Sequence, residues 1–289
     1  MKPVMIMDGI LVIDKPAGMS SHDVVDVARR TFSTRRVGHA GTLDIPATGV
    51  LVLGINRGTK LLSYLSGDDK GYEFDIVFNV ETDTLDDAGT ITRTRRFEDF
   101  KDLDEVLKRF HGQLEQIPPA YSAVKVGGKK LYEYARAGEP IPEVPPRRVR
   151  IERLIRLSRL TAESDAYRAR FRLDCSKGVF VRQLAADVAE ALGTVAHASN
   201  IRRIRSGRFT LAEAWPFEAL REGRIARLIP LAEALPYPAV KIQDAKAIKS
   251  GKPLTLDCEA ERVRILDEDG GLLAIYRRTE GRFRPEKVL

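Results

Sequence analysis

The stretch Val37-Gly38-His39-Ala40-Gly41-Thr42-Leu43-Asp44-Ile45-Pro46-Ala47-Thr48-Gly49 packs three glycines and a proline around a single carboxylate, Asp44. It leads directly into Gly49 to Ile55, a continuous apolar run bounded by glycines. A tight loop braced by a rigid strand is a good mount for a reacting side chain. Two readings of Asp44 stand side by side: a reacting carboxylate, or a residue that merely caps its own turn, as most isolated loop aspartates do.

Other chemistry-bearing patterns fail on spacing. Gly54-Ile55-Asn56-Arg57-Gly58-Thr59-Lys60 has the composition of a phosphate loop. That motif, however, needs four residues between its glycines and Lys directly after the second. Asp83, Asp86 and Asp87 before Gly89 lack the ligand spacing and closing Glu of a calcium loop, so a turn between strands is the better reading. His22, His39, His111 and His197 never pair at metal-ligand spacing. Cys175 and Cys258 lie far apart and outside any Cys-x-x-Cys, which excludes a zinc ribbon or a disulfide framework. No metal is expected.

The elements that must position the loop follow from hydrophobic pattern. Gly9 to Asp14 reads as a buried strand, followed by the turn Lys15-Pro16-Ala17-Gly18. Ser20 and Asp23 stand at capping-box spacing and open a helix through Val24, Val25 and Val27. Gly49 to Ile55 has the pattern of a strand covered on both faces, and Tyr72 to Val80 alternates like a strand with one buried face. Leu103, Val106, Leu107 and Phe110 give the spacing of one amphipathic helix. From Gln116 to Arg148, six prolines and a hairpin turn at Gly127-Gly128 predict an extended, partly mobile excursion. Tyr167 to Cys175 is a strand with Arg168, Arg170 and Arg172 on the face opposite its apolar residues. A helix from about Phe180 to Leu192 buries Val181, Leu184, Ala185 and Val188 and stops at Gly193. Past Pro236 and Pro238 a short β-rich appendage with the turn Asp269-Gly270-Gly271 is expected. Strands and helices mix without strict alternation, which argues for an α+β core over a doubly wound sheet.

The 289 residues carry a net charge of +7, with 43% hydrophobic and 31% charged residues. A chain of this size buries enough surface to need no staple. The excess charge is localised: residues 147 to 208 hold 15 Lys or Arg against 6 Asp or Glu, while the rest of the chain is slightly acidic. That distribution suits a polyanion-binding surface, the alternative being a solvated Arg-rich face. No apolar stretch approaches a membrane span or a signal-peptide core, so a soluble, cytoplasmic protein is expected.

The loop Gly38-His39-Ala40-Gly41-Thr42-Leu43-Asp44 with Ala47-Thr48-Gly49 resembles the catalytic motif of the TruB-type tRNA pseudouridine synthases. Further matches run in order along the chain: Asp14-Lys15-Pro16-Ala17-Gly18 with Ser21, Gly71-Tyr72, Thr82-Asp83-Thr84 with Asp86, and Ile117-Pro118-Pro119 with Tyr121-Ser122-Ala123. They continue through Lys129-Lys130-Leu131-Tyr132, Cys175-Ser176-Lys177-Gly178 with Arg182, and Ile201-Arg202-Arg203. Asp269 to Ala274 and Pro285 to Val288 resemble the family's small RNA-binding appendage.

The resemblance implies an isomerase that converts uridine to pseudouridine at position 55 in the T loop of tRNA, without cofactor, metal or guide RNA. The implied fold is α+β: a mixed, largely antiparallel sheet flanked by helices over residues 1–236. A thumb-like RNA-binding insertion at 116–148 and a PUA-like C-terminal domain at 237–289 complete it. Asp44 matches the nucleophilic aspartate, and a carboxylate can attack covalently and later leave. Arg182 matches its arginine partner, whose charge favours the ionised carboxylate; without the match, an arginine bound only to phosphate is the lesser alternative. Tyr72 matches the tyrosine that packs on the target base and assists removal of the C5 proton, although on pattern alone it reads as a core aromatic. His39 matches the histidine near the extruded nucleotide, Phe180 and Ile201 match pocket-lining positions, and Lys15 and Asp83 are carried with the substrate-binding set. Ala40, Ile45-Pro46 and Phe180 depart from the family's usual residues. The partner implied is the T arm of tRNA, with no membrane and no obligatory protein partner, and a monomer is expected. Two other readings are a tRNA-binding or tRNA-folding protein with incidental catalysis, and the guide-RNA-dependent relative.

Overall fold

The apolar runs at the start of the chain form the middle of a large sheet. The computed structural model describes residues 7–67 and 69–289. The first strand, β1 (Gly9–Lys15), pairs antiparallel with β3 (Thr48–Ile55), to which the short β2 (Val37–His39) is also joined. Between β1 and β2 lies α1 (Ser21–Thr31). Its N-terminus carries the predicted capping box: Ser20 Oγ accepts from the Asp23 N–H, and the Ser20 N–H donates to the Asp23 carboxylate at 2.7 Å.

Next come β4 (Lys70–Phe78), the hairpin of β5 (Val80–Thr82) and β6 (Ile91–Thr94), α2 (Leu103–Lys108) and β7 (Gly112–Gln116). A helix α3 (Leu131–Ala137) precedes β8 (Arg147–Arg156) and β9 (Ala166–Cys175). Then α4 (Val181–Ala191) leads into β10 (Ala196–Ser206) and the two-residue β11 (Trp215–Pro216). The main sheet runs β11-β1-β3-β10-β4-β9-β8-β7. It is mixed and largely antiparallel, with parallel pairing where β1 meets β11 and where β3 meets β10.

One layer of core lies between this sheet and α1 and α4, where Leu51, Leu53, Phe74, Phe78 and Phe171 meet Val24, Val25, Leu184 and Val188. Each buried Phe is worth about 3–5 kcal/mol against Ala. On the other face of β1 and β3, Ile10, Val12, Val50 and Val52 pack against Leu61, Leu65, Phe209 and Leu231, and against Leu266, Leu272 and Ile275 of the C-terminal sheet. These strands are therefore covered on both sides, as their unbroken apolar runs predict. The C-terminal sheet has four strands, β12 (Ala239–Lys241), β13 (Arg262–Leu266), β14 (Leu272–Thr279) and β15 (Arg282–Val288), side by side in chain order.

Two elements differ from the sequence reading. Strand β4 is enclosed on both faces: Tyr72, Phe74, Ile76 and Phe78 join the core, while Asp75 on the opposite face is only 4% exposed. Arg170 Nε at 3.1 Å, Arg168 and the Asn200 amide at 2.8 Å neutralise that carboxylate, so alternation here separates an apolar layer from an ionic one. The strand stops at Phe78 because Asn79 adopts a left-handed φ of 76°. The proline-rich excursion also contains regular structure. Its hairpin pairs Lys125-Val126 with Lys129-Lys130 through Gly127 and Gly128, both at positive φ. Helix α3 follows, started by the Lys130 N–H donating to the Glu133 carboxylate and ended at Gly138 with φ 65°. The prolines flank this helix and leave its interior free.

Candidate active site

Asp44 sits on a loop held from three sides. Ser21, the first residue of α1, clamps the neighbouring Leu43: its Oγ accepts from the Leu43 N–H at 2.8 Å and donates to the Leu43 carbonyl at 3.2 Å. Lys15, fully buried at the end of β1, donates to the carbonyls of Pro16, Met19 and Ile45 at 2.9, 2.7 and 3.3 Å. Burial lowers its pKa to about 8, a shift that the Asp44 carboxylate opposes. Arg203 on β10 donates to the carbonyls of Gly41 and Thr42 before the aspartate and of Val50 after it. The loop leaves through Gly49 at φ 102°, where an added Cβ would stand 2.2 Å from the Arg203 carbonyl. Only glycine fits there.

The Arg182 guanidinium meets the Asp44 carboxylate, Nε to Oδ2 at 2.9 Å. The arginine side chain is 6% exposed and the aspartate 45%, so the anion faces the opening and the cation lies beneath it. Helix α4 supplies Arg182 from its second residue. Its Nη1 and Nη2 donate to the carbonyls of Thr84 at 2.6 Å and Tyr121 at 2.8 Å, and Asp86 lies 3.6 Å from Nε. A buried guanidinium with this many partners has one allowed orientation.

A cavity of about 110 Å³ opens beside the pair, walled by Leu43, Asp44, Tyr72, Phe180, Arg182 and Ile201. Tyr72 is 9% exposed, and burial raises the pKa of its phenol while the adjacent Arg203 works against that rise. The phenol thus keeps its proton at neutral pH. Phe180 is fixed through its backbone, its N–H donating to the Gln116 side-chain oxygen at 2.8 Å and its carbonyl accepting from the Gln116 amide at 3.2 Å. An anion, its fixed cation, a protonated phenol and apolar walls around a small cavity can receive one flat polar ring next to a carboxylate.

The family model for the N-terminal domain of TruB family pseudouridylate synthases matches residues 29–181. A tRNA pseudouridine synthase B of Halalkalibacterium halodurans is 41% identical over 300 residues, covering 99% of this chain and 98% of that protein. The chain belongs to the TruB family. A relative of the same name from Bacillus licheniformis is 39% identical over 98% of the chain, and one from a Mycobacterium species is 43% identical over 83%. Among solved structures, an archaeal box H/ACA Nop10-Cbf5 complex matches with a TM-score of 0.70 over 98% of the chain and 86% of its counterpart. At 22% identity that likeness shows the fold alone.

In this TruB-family chain the residues expected to act are not all brought together. Asp44, Tyr72, Arg182, Phe180 and Ile201 surround the one cavity. His39 ends β2 at the start of the loop, half-buried and outside that cavity, and burial together with the Arg203 charge lowers its pKa. Asp83 lines a separate cleft with Glu81, Arg93 and Pro118 and accepts from the Tyr121 hydroxyl at 3.1 Å. Lys15 is spent on backbone carbonyls behind the loop and lines no part of the cavity. Asp86 and Arg203 were not singled out as site residues from sequence. Asp86 sits inside the pattern rejected as a calcium loop, and Arg203 is one arginine in an arginine-rich strand; only their place in the ordered family matches pointed to them.

Proposed function

We propose that this chain isomerises uridine to pseudouridine at position 55 in the T loop of tRNA, acting without a guide RNA and with Asp44 as nucleophile. The observation that carries this reading is the Arg182 guanidinium 2.9 Å from the Asp44 carboxylate at the wall of a cavity on the scale of a single nucleobase. Its support is membership of the TruB family and relatives that bear the name tRNA pseudouridine synthase B across nearly their whole length.

The chemistry suits those residues. The N1–C1′ bond must break, the base must turn, and a C5–C1′ bond must form; C5 gives up its proton and N1 gains one, so no oxidant or reductant is consumed. A carboxylate that adds covalently and then departs holds one fragment through the exchange. Arg182 orients it. A base inside a stacked loop cannot reach so small a cavity, so the nucleotide must be extruded, at a cost of a few kcal/mol of unstacking. Tyr72, Phe180 and Ile201 receive the ring, and His39, at the start of the Asp44 loop with its pKa lowered by burial, offers an aromatic face to fill the space left in the stack. The insertion at 116–148 presents Lys129 over the ring of Tyr134 and Lys130 and Arg136 over that of Tyr132, and with residues 237–289 it supplies RNA contacts outside the cavity. Asp83 supports the turn that carries Thr84, and Lys15 acts on the substrate only through the loop.

The purified chain, incubated with unmodified tRNA transcript and no other component, is expected to produce pseudouridine at position 55 only. Absence of product, or modification elsewhere, contradicts the proposal; product formed only after a guide RNA is added supports the guide-dependent alternative.

A further inference from the structure

Arg203 is the bulkiest of the fully buried side chains, at 1% exposure. Among the described residues no carboxylate approaches it closely enough to form an ion pair, and its guanidinium spends its hydrogens on the carbonyls of Gly41, Thr42 and Val50. Burying a cation without an anion is costly unless every donor is used. A purely structural strap could be built from neutral groups at less cost.

Its place in the sheet explains the choice. Arg203 lies on β10 between the strand by which the Asp44 loop exits and the strand that carries Tyr72: its register partners are Gly49 on one side and Tyr72 on the other. Its side chain reaches both arms of the loop, and Tyr72 is its cross-strand neighbour, near enough for the guanidinium charge to act on the phenol. One group therefore touches the approach to Asp44, the departure from Asp44 and the aromatic wall of the base cavity.

We propose that Arg203 is a positioning residue for the isomerisation, tying the Asp44 loop to the Tyr72 phenol so that nucleophile and base platform keep one spacing. This rests on the reading of the chain as a pseudouridine synthase that works through Asp44. Lysine at 203 keeps the charge but gathers its hydrogens at one atom, whereas the guanidinium fork reaches the carbonyls of Gly41, Thr42 and Val50 from three separate nitrogens while lying beside Tyr72.

The test measures single-turnover rate at saturating tRNA, tRNA affinity and melting temperature for wild type, Arg203→Lys, Tyr72→Phe and the double variant. Arg203→Lys is expected to slow turnover by about 100-fold with affinity held within about threefold, the loss expected from a displacement on the order of 1 Å at a reacting centre. The double variant is expected to be faster than the product of the two single losses by about tenfold, because the substitutions act on one tie. Losses that simply multiply, an Arg203→Lys turnover equal to wild type, or a loss carried in tRNA affinity would each overturn the proposal. Arg203→Gln extends the series, and where it does not fold the lysine variant decides. A wild-type chain that makes no pseudouridine overturns both this inference and the reading beneath it, whereas an active wild type with uncoupled variants overturns the inference alone.

Discussion

Lys15 shows how far the chemistry of a residue can depart from its address. It lies in a motif that matches the family and was expected among the substrate-binding residues, yet its ammonium is satisfied by three backbone carbonyls, including that of Ile45 beside Asp44. With its pKa lowered to about 8 by burial, it begins to lose its proton just above neutrality. The neutral amine has two hydrogens for three carbonyls and no charge to set against Asp44. Turnover at saturating tRNA is therefore expected to fall as pH rises through about 8 with tRNA affinity unchanged, and Lys15→Met should be slow with no such step. Stability moves the other way. The folded group titrates near 8 and the unfolded one near its ordinary 10.5, so between those values the unfolded chain binds more protons and this lysine's contribution to stability rises with pH. Turnover that stays level from pH 7 to 9, or a Lys15→Met variant with the wild-type profile, would remove Lys15 from this role. Sequence pattern alone could not separate these roles, because a motif match does not say which way a side chain points.

At the scale of elements, the exit from the Asp44 loop is the most demanding junction. Gly49 combines a φ of 102° with the Arg203 carbonyl where a Cβ would stand. Gly49→Ala is expected to cost at least about 3 kcal/mol of stability, through left-handed strain and forced separation of β3 from β10. Chemical denaturation measures it, and a loss under about 1 kcal/mol would show that the strands can part cheaply. Elements with a single strong local signal were legible in the sequence: the capping box of α1, the unbroken apolar run of β3 and the amphipathic spacing of α4 all formed where the pattern put them. Helix α3 was hidden because the prolines around it dominate the local composition, and the second face of β4 was hidden because Asp75 looks solvated until Arg168, Arg170 and Asn200 arrive from distant segments.

At the scale of the whole molecule, the basic block from 147 to 208 is far less basic than its composition. Arg156, Arg168, Arg170, Arg182 and Arg202 pair with Asp104, Asp75, Asp44 or Asp14, all outside the block, and Arg205 pairs with Asp174. Among the described residues of that segment, Arg147, Arg153, Arg159, Lys177 and Arg208 are the exposed cations without a carboxylate partner, Arg208 donating only to the Glu233 backbone carbonyl. Each of these five that contacts phosphate should reduce the slope of log affinity against log salt by roughly 0.7–0.9 when changed to Gln, whereas Arg168→Gln and Arg202→Gln should lower the melting temperature and leave the slope alone. The opposite pattern would return the RNA footprint to the ion-paired arginines. Charge counting along a sequence cannot anticipate this, because the neutralising acids reach the block only through the sheet. The proposed function makes one carboxylate the centre of all these structures, so the most direct measurement compares wild type with Asp44→Asn on unmodified tRNA, reading pseudouridine formation in a single turnover alongside tRNA binding. The expected result is product at position 55 from the wild type, none from Asp44→Asn, and equal binding by both; an Asp44→Asn chain that still isomerises uridine would contradict the assignment of the nucleophile.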